Sequence, residues 1–250
     1  MSTNRDPRTR GHPSVFAEVA GAYERGRPGY PEAAVRWLAG DEPRDVVDLG
    51  AGTGKLSRAL VSLGHRVTAI EPLPEMLDLF PGAAPGASAI LGTAEIIPLP
   101  DAFADVVVSG QAFHWFDHAL AMPEIARVLR PAGRLGLVWN TRDDDDPFMA
   151  RLSAVIGNER LGGDQSYLAV DESRLFGPVE TAAFRHEQVA DRATLLDLVL
   201  SRSHCAKLPL AAREPVLEAV GRLYDDAAGT DGVRLPYVTE CYRATKKGER

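Results

Sequence analysis

Val46-Val47-Asp48-Leu49-Gly50-Ala51-Gly52-Thr53-Gly54-Lys55-Leu56 reads as a short apolar strand that runs into a glycine loop and then into a helix. Glycine at alternate positions lets the backbone turn tightly and lets a ligand approach with no side chain in the way. Two familiar phosphate loops do not fit the spacing. A dinucleotide fingerprint G-x-G-x-x-G starting at Gly50 and Gly52 needs a third glycine where Lys55 stands, which weakens a nicotinamide reading and leaves it as an alternative. A P-loop needs glycine in place of Leu49 and Ser or Thr in place of Leu56, and fails at both ends.

Working outward, residues 44–140 alternate short runs rich in Val, Ile and Leu with longer helical stretches, the pattern of βα units around a parallel sheet. The strand runs are Val46 to Leu49, Val67 to Ile70, Ala89 to Leu91, Val106 to Val108 and Leu135 to Trp139. Helices are expected from Lys55 to Leu63, from Pro74 to Leu79 before Pro81-Gly82, and from Asp117 to Leu129 before Arg130-Pro131. Upstream, Val15 to Tyr23 and Pro31 to Leu38 read as two helices that must pack on the sheet from outside. Beyond Asn140 the alternation breaks at Asp143-Asp144-Asp145-Asp146. A helix over Phe148 to Gly157 and a Gly162-Gly163 turn follow, as in an insertion. Phe184 to Val189 and Val238 to Ala244 read as late strands, with helices at Thr194 to Arg202 and Ala211 to Tyr224 between them.

The composition is that of an ordinary globular protein, 45% hydrophobic and 25% charged over 250 residues. The net charge of −7 does not favour a long basic face for nucleic acid, and its excess is spread: 16 acidic and 13 basic residues through Asn140, 19 and 15 after it. Cys205 and Cys241 have no zinc spacing, and neighbouring aspartates 143–146 cannot all point inward, so no metal is expected and the acidic run reads as a solvated turn. Met1 to His12 lacks an apolar segment after its arginines, and no run approaches a membrane span, which together suggest a cytoplasmic protein.

Read as D-x-G-x-G-x-G, Asp48 to Gly54 resembles motif I of the class I S-adenosylmethionine-dependent methyltransferases. Four later segments fit the same family in order. Ile70-Glu71-Pro72 ends the second strand with an acid able to accept both ribose hydroxyls. Gly92-Thr93-Ala94-Glu95 with Pro98-Leu99-Pro100 resembles the loop that flanks adenine. Asp105 to Phe116 resembles the fourth strand and its following loop, and Leu129 to Leu135 the turn into the fifth. The flanks, Phe16 to Pro31 and Gln111 to Asp117, with Ser201-Arg202-Ser203 and Leu235-Pro236-Tyr237, are similar to the type 11 methyltransferases related to trans-aconitate methyltransferase.

That resemblance implies a Rossmann-like, doubly wound α/β fold with a seven-stranded, mostly parallel sheet, N-terminal capping helices and a helical insertion after strand five. The expected organisation is one domain over 1–250: capping helices in 12–40, a cofactor-binding core in 44–140, the insertion in 141–180, and C-terminal strands and helices in 181–246. It implies S-adenosylmethionine as cofactor, S-adenosylhomocysteine as product, and a site assembled from separate segments. Cofactor contacts are expected from Tyr23 and Arg27, from Asp48, Gly50, Ala51, Gly52, Thr53 and Gly54, from Glu71, Pro72 and Met76, from Ala94 and Glu95, and from Gln111, Ala112 and Phe113. His114, Trp115, Asn140 and Arg142 are expected on the acceptor side.

His114 is the candidate general base, with an aromatic wall formed by Phe113, His114 and Trp115 as the competing reading. The expected function is direct in-line methyl transfer to a small molecule, with a carboxylic acid among the acceptors, by a monomer or homodimer that binds neither nucleic acid nor membrane. A donor-binding protein without turnover and a nicotinamide-dependent oxidoreductase are the alternatives.

Overall fold

The computed structural model describes residues 20–157, 167–202, 205 and 208–248. The five expected runs form strands β1 (Asp45–Leu49), β2 (Arg66–Glu71), β3 (Ser88–Leu91), β4 (Ala104–Gly110) and β5 (Leu129–Arg142). Helices α1 (Ala20–Gly26) and α2 (Glu32–Ala39) precede them, α3 (Lys55–Ser62) and α4 (Pro74–Ala83) follow β1 and β2, and α5 (His118–Val128) precedes β5. Then come α6 (Pro147–Ile156), α7 (Leu168–Ser173), β6 (Glu180–Ala190), α8 (Arg192–Leu200), α9 (Leu210–Ala227) and β7 (Val233–Thr245). The Gly162-Gly163 turn, residues 1–19 and Ser203 lie outside the described residues.

One seven-stranded sheet runs in the order β3-β2-β1-β4-β5-β7-β6. The first five strands pair in parallel, while β7 is antiparallel to both β5 and β6. This is the expected doubly wound, mostly parallel sheet. Helices cover both faces, so the central strands are buried on both sides and read as continuous apolar runs. Val46, Val106 and Val138 pack under α2 and α3. Val47, Val107, Leu137 and Trp139 pack on the opposite face with α5 and Phe176. A third cluster joins α6, α8 and α9 near the ends of β6 and β7.

Three expectations change in detail. The helix after β2 continues through Pro81 to Ala83. Pro81 lies in the last turn, where it removes only one backbone bond, and the Ala84 N–H closes the end on the Phe80 carbonyl at 2.8 Å. Both late strands are longer than their apolar runs, because antiparallel pairing carries the ladder on through polar residues. Of the two upstream helices, α2 packs on the sheet, but α1 packs on α8 and α4. Gly26 is the reason: a Cβ there would stand 2.1 Å from the Leu198 nitrogen, so only glycine lets the end of α1 come this close to α8.

The four aspartates have separate structural tasks. Asp146 caps α6 by accepting the N–H groups of Phe148 and Met149 at 2.9 and 3.0 Å. Asp144 accepts from the Ser153 hydroxyl at 2.8 Å, and Asp143 pairs with Arg185.

Candidate functional site

The glycine loop closes the carboxyl end of β1, where ligands of open α/β sheets bind. The N–H groups of Gly50 and Ala51 donate to the Ile70 carbonyl at 2.9 and 3.2 Å, fixing the loop to the end of β2. Gly50, Gly52 and Gly54 have φ of +67°, +58° and +95°. Their surroundings differ. A Cβ on Gly50 would meet the Ala112 Cβ at 2.6 Å, and one on Gly54 would meet the Phe80 ring at 2.7 Å, so these two serve packing. A Cβ on Gly52 would meet nothing within 4 Å and would project into open space. That is the position at which a ligand can lie on the bare backbone.

Two buried acids flank this loop. Glu71, 5% exposed, accepts the Gly52 N–H on Oε2 at 2.8 Å and the Leu73 N–H on Oε1 at 3.1 Å. Each oxygen keeps a lone pair, enough for the two hydroxyls of a ribose. Burial raises its pKa to about 7, although both N–H bonds pull the other way. Asp48 accepts the Ser57 hydroxyl at 2.6 Å, and burial raises it to about 6. Asp48 therefore ties β1 to α3.

Glu24 of α1 holds the start of α3. Its carboxylate accepts from the Thr53 hydroxyl at 2.5 Å and from Arg58 at 2.9 Å, and its carbonyl accepts from Lys55. Burial lowers the Lys55 pKa. The end of α1 is fixed in turn to α8, since Arg27 Nε and Nη2 donate to the Ser201 hydroxyl and carbonyl at 2.8 and 3.0 Å. The Arg27 guanidinium also lies 5.3 Å from the Tyr23 ring centre.

These elements border a cleft that opens to solvent. Of the expected residues, Tyr23, Arg27, Asp48, Gly50, Ala51, Gln111 and Asn140 line it. Gln111, at φ +59°, donates its backbone N–H to the Val138 carbonyl at 2.9 Å and its side chain to the Asn140 carbonyl at 3.2 Å, joining the ends of β4 and β5. Tyr30, Lys55 and Gly110 also line the cleft and were missed. Lys55 entered only as a mismatch to the dinucleotide spacing, although the residue that opens the helix after a ligand loop is a candidate by position. Tyr30 stands in the Gly29-Tyr30-Pro31 segment and touches Gly110, where a Cβ would lie 2.6 Å from the phenol oxygen.

Other expected residues lie off this wall. Phe113 is fully buried in the core, where its ring stacks on His118 at 4.6 Å. Ala112 packs against Gly50. Met76 is buried on α4 and Ala94 in the core, while Pro72 is exposed at the end of β2. Glu95 accepts the Asp117 N–H at 2.8 Å. His114 has both ring nitrogens buried without a hydrogen-bond partner and packs at 4.9 Å on Trp115, which is 39% exposed. Burial, with His118 adding, lowers the His114 pKa to about 4. Arg142, 8% exposed, donates to the Gly157 carbonyl at 2.9 Å.

A family profile described as a methyltransferase domain matches residues 47–137. An uncharacterized methyltransferase of Mycobacterium tuberculosis is 46% identical over 233 residues, covering 92% of this chain and 95% of that protein. A malonyl-[acyl-carrier protein] O-methyltransferase of Serratia marcescens is 32% identical over 186 residues, covering 73% of this chain and 70% of its own. Among solved structures, an Anabaena variabilis protein provisionally assigned as a methyltransferase from an antibiotic biosynthesis pathway superposes with a TM-score of 0.64. It is 22% identical and covers 87% of this chain and 98% of that one. At that identity the likeness speaks for the fold.

Proposed function

The chain belongs to the class I S-adenosylmethionine-dependent methyltransferases of the type 11 group, and from that premise we propose that it methylates a small organic acid at a carboxylate oxygen. Its methyl donor is S-adenosylmethionine. The observation that carries the proposal is the contrast between the two walls of the cleft. Asp48 lines it from the end of β1, with Glu71 bound to the Gly52 N–H of the adjoining loop, while Arg27, just after α1, and Asn140 of β5 also line it. A net charge of −7 makes a cationic wall a local feature of the site rather than of the surface as a whole.

S-adenosylmethionine supplies a methyl group already activated on a sulfonium: an acceptor oxygen bonds the methyl carbon as the carbon–sulfur bond breaks, its electron pair stays on sulfur, and S-adenosylhomocysteine leaves. The protein's share is to hold and to exclude water. Glu71 holds the ribose hydroxyls, and the bare Gly52 backbone admits close approach. Tyr23 and Arg27 cover the amino-acid end, where a guanidinium pairs with a carboxylate. A carboxylate acceptor is ionised at neutral pH and needs no base. His114, neutral at that pH, then acts with Trp115 as wall rather than as base.

Support for an acid also comes from the Serratia relative, whose name describes O-methylation of a malonyl group. The same reading has a monomer or homodimer working in the cytoplasm, with nucleic acid not a partner; no helix among the described residues is long and apolar enough to cross a membrane. The test is a turnover screen of acids, phenols and amines for S-adenosylhomocysteine release. Release with acids alone is the expected result, and release only with amines or phenols would reject the acid.

A further inference from the structure

The sheet face under α2 changes character along β5, β7 and β6. The cross-strand row Val138, Cys241 and Ala182 is apolar. Two residues on, Asn140 stands opposite Thr239. In the next row Arg142, Tyr237 and His186 lie side by side. Alternate residues of a strand share a face, so these polar side chains all look to the same side of the sheet.

α1 and α8 meet over that side. Gln188 donates to the Gly26 carbonyl at 3.1 Å, and Asn140 donates to the Gly29 carbonyl at 2.9 Å. Arg27 is held by Ser201 at the end of α8, and Arg202 beside it is 6% exposed. These side chains form one polar compartment of the packed interior between the sheet and the capping helices, with the Tyr237 ring set in the apolar cluster of α6, α8 and α9. It shares Arg27 and Asn140 with the wall of the cofactor cleft.

Among the described residues, the compartment holds buried polar atoms with no hydrogen-bond partner. Tyr237 is 3% exposed and its hydroxyl has no hydrogen-bond partner, and the same is true of His186 Nε2 and Gln188 Oε1. A buried hydroxyl left unpaired is costly, and such atoms are rare in folded proteins. The Tyr237 ring is fixed by stacking on His186 at 5.6 Å, so its hydroxyl is aimed rather than loose. Its surroundings are cationic. Burial pushes the phenol up to about 12, against the pull of Arg27, Arg202 and Arg142.

We infer that this compartment is the acceptor's anion subsite, binding a carboxylate of the organic acid through the Tyr237 hydroxyl and the guanidinium groups of Arg142 and Arg202, with the reacting oxygen of the acid directed past Asn140 into the cofactor cleft. The inference rests on the methyltransferase reading and adds to it the place and the chemistry of acceptor recognition. An acid with two carboxylates satisfies both ends: one is anchored and the other is methylated.

Calorimetry on the enzyme loaded with S-adenosylhomocysteine tests this, with malonate, succinate, citrate, inorganic phosphate and the neutral amide succinamide as probes. At least one carboxylate is expected to bind and the amide is not. Tyr237→Phe, which keeps the ring and its stacking, and Arg142→Met should each weaken the acid about tenfold or more and leave S-adenosylhomocysteine affinity unchanged. The subsite is overturned if no carboxylate binds the loaded enzyme, if phosphate alone binds, or if the two variants weaken S-adenosylhomocysteine and not the acid. Failure of the unmodified enzyme to bind S-adenosylhomocysteine would overturn the methyltransferase reading and the subsite with it.

Discussion

The Glu71 carboxylate accepts the Gly52 N–H at 2.8 Å, so the acid that ends β2 and the middle glycine of the loop after β1 form one unit. The carboxylate both shapes the loop and offers its remaining lone pairs to a ligand lying over Gly52.

Glu71→Ala removes both functions. Charge-assisted hydrogen bonds to a ribose diol contribute about 1.5–3 kcal/mol, so affinity for S-adenosylmethionine should fall roughly 10- to 100-fold. Calorimetry giving an unchanged affinity would remove Glu71 from the ribose site.

The raised pKa of Glu71 makes a statement about stability. Between its ordinary value of 4.5 and the folded value of about 7, the folded protein binds more protons at this site than the unfolded chain. Its contribution is full below about pH 4.5 and is lost as pH rises through about 7, amounting to at most ~3 kcal/mol. Without the methyl donor, Tm of the unmodified enzyme should therefore fall more steeply from about pH 5 to about pH 8 than that of Glu71→Gln. Parallel curves would contradict this.

The three loop glycines should separate by function. Gly50→Ala combines a positive φ with a Cβ 2.6 Å from Ala112 and should cost about 2–4 kcal/mol of stability. Gly52→Ala meets only the φ penalty, roughly 1–2 kcal/mol, yet its methyl would project into the open space proposed for the methyl donor. Thermal denaturation and donor binding measured together should show the larger stability loss for the first variant and the larger affinity loss per unit of stability for the second. Equal effects on binding would place the ligand elsewhere.

His114→Phe should retain turnover within about tenfold with an unchanged pH–rate profile, since an ionised carboxylate acceptor has no proton to lose and the His114 ring packs on Trp115. A loss of more than about a hundredfold, with donor affinity intact, would make His114 the base.

Much of this was legible in the chain because the signals were local. β1, β2, β4 and β5 carry buried apolar runs and the edge strand β3 a short, more exposed one, and the glycine loop with the acid after β2 is contiguous over 26 residues from Val46 to Glu71. The packing of α1 was not legible, since it depends on Gly26 meeting the backbone of Leu198, far away in the chain. The polar rows of β5, β7 and β6 were hidden for a similar reason. Arg142, His186 and Tyr237 become neighbours only through antiparallel register, and each on its own reads as a strand-end polar residue. Thr239 shows what register adds. It donates to Asn140 at 2.7 Å and lies 3.1 Å from His186 Nδ1, linking three strands through one hydroxyl.

Methyl transfer from S-adenosylmethionine to an oxygen of a small organic acid leaves a methyl ester, and the fate of the methyl group reports it. With methyl-labelled donor and a panel of di- and tricarboxylic acids, the label should appear in a product from which alkali releases it as methanol, as a methyl ester requires. Label that resists alkali, or that reaches only amine or phenol acceptors, would contradict the account.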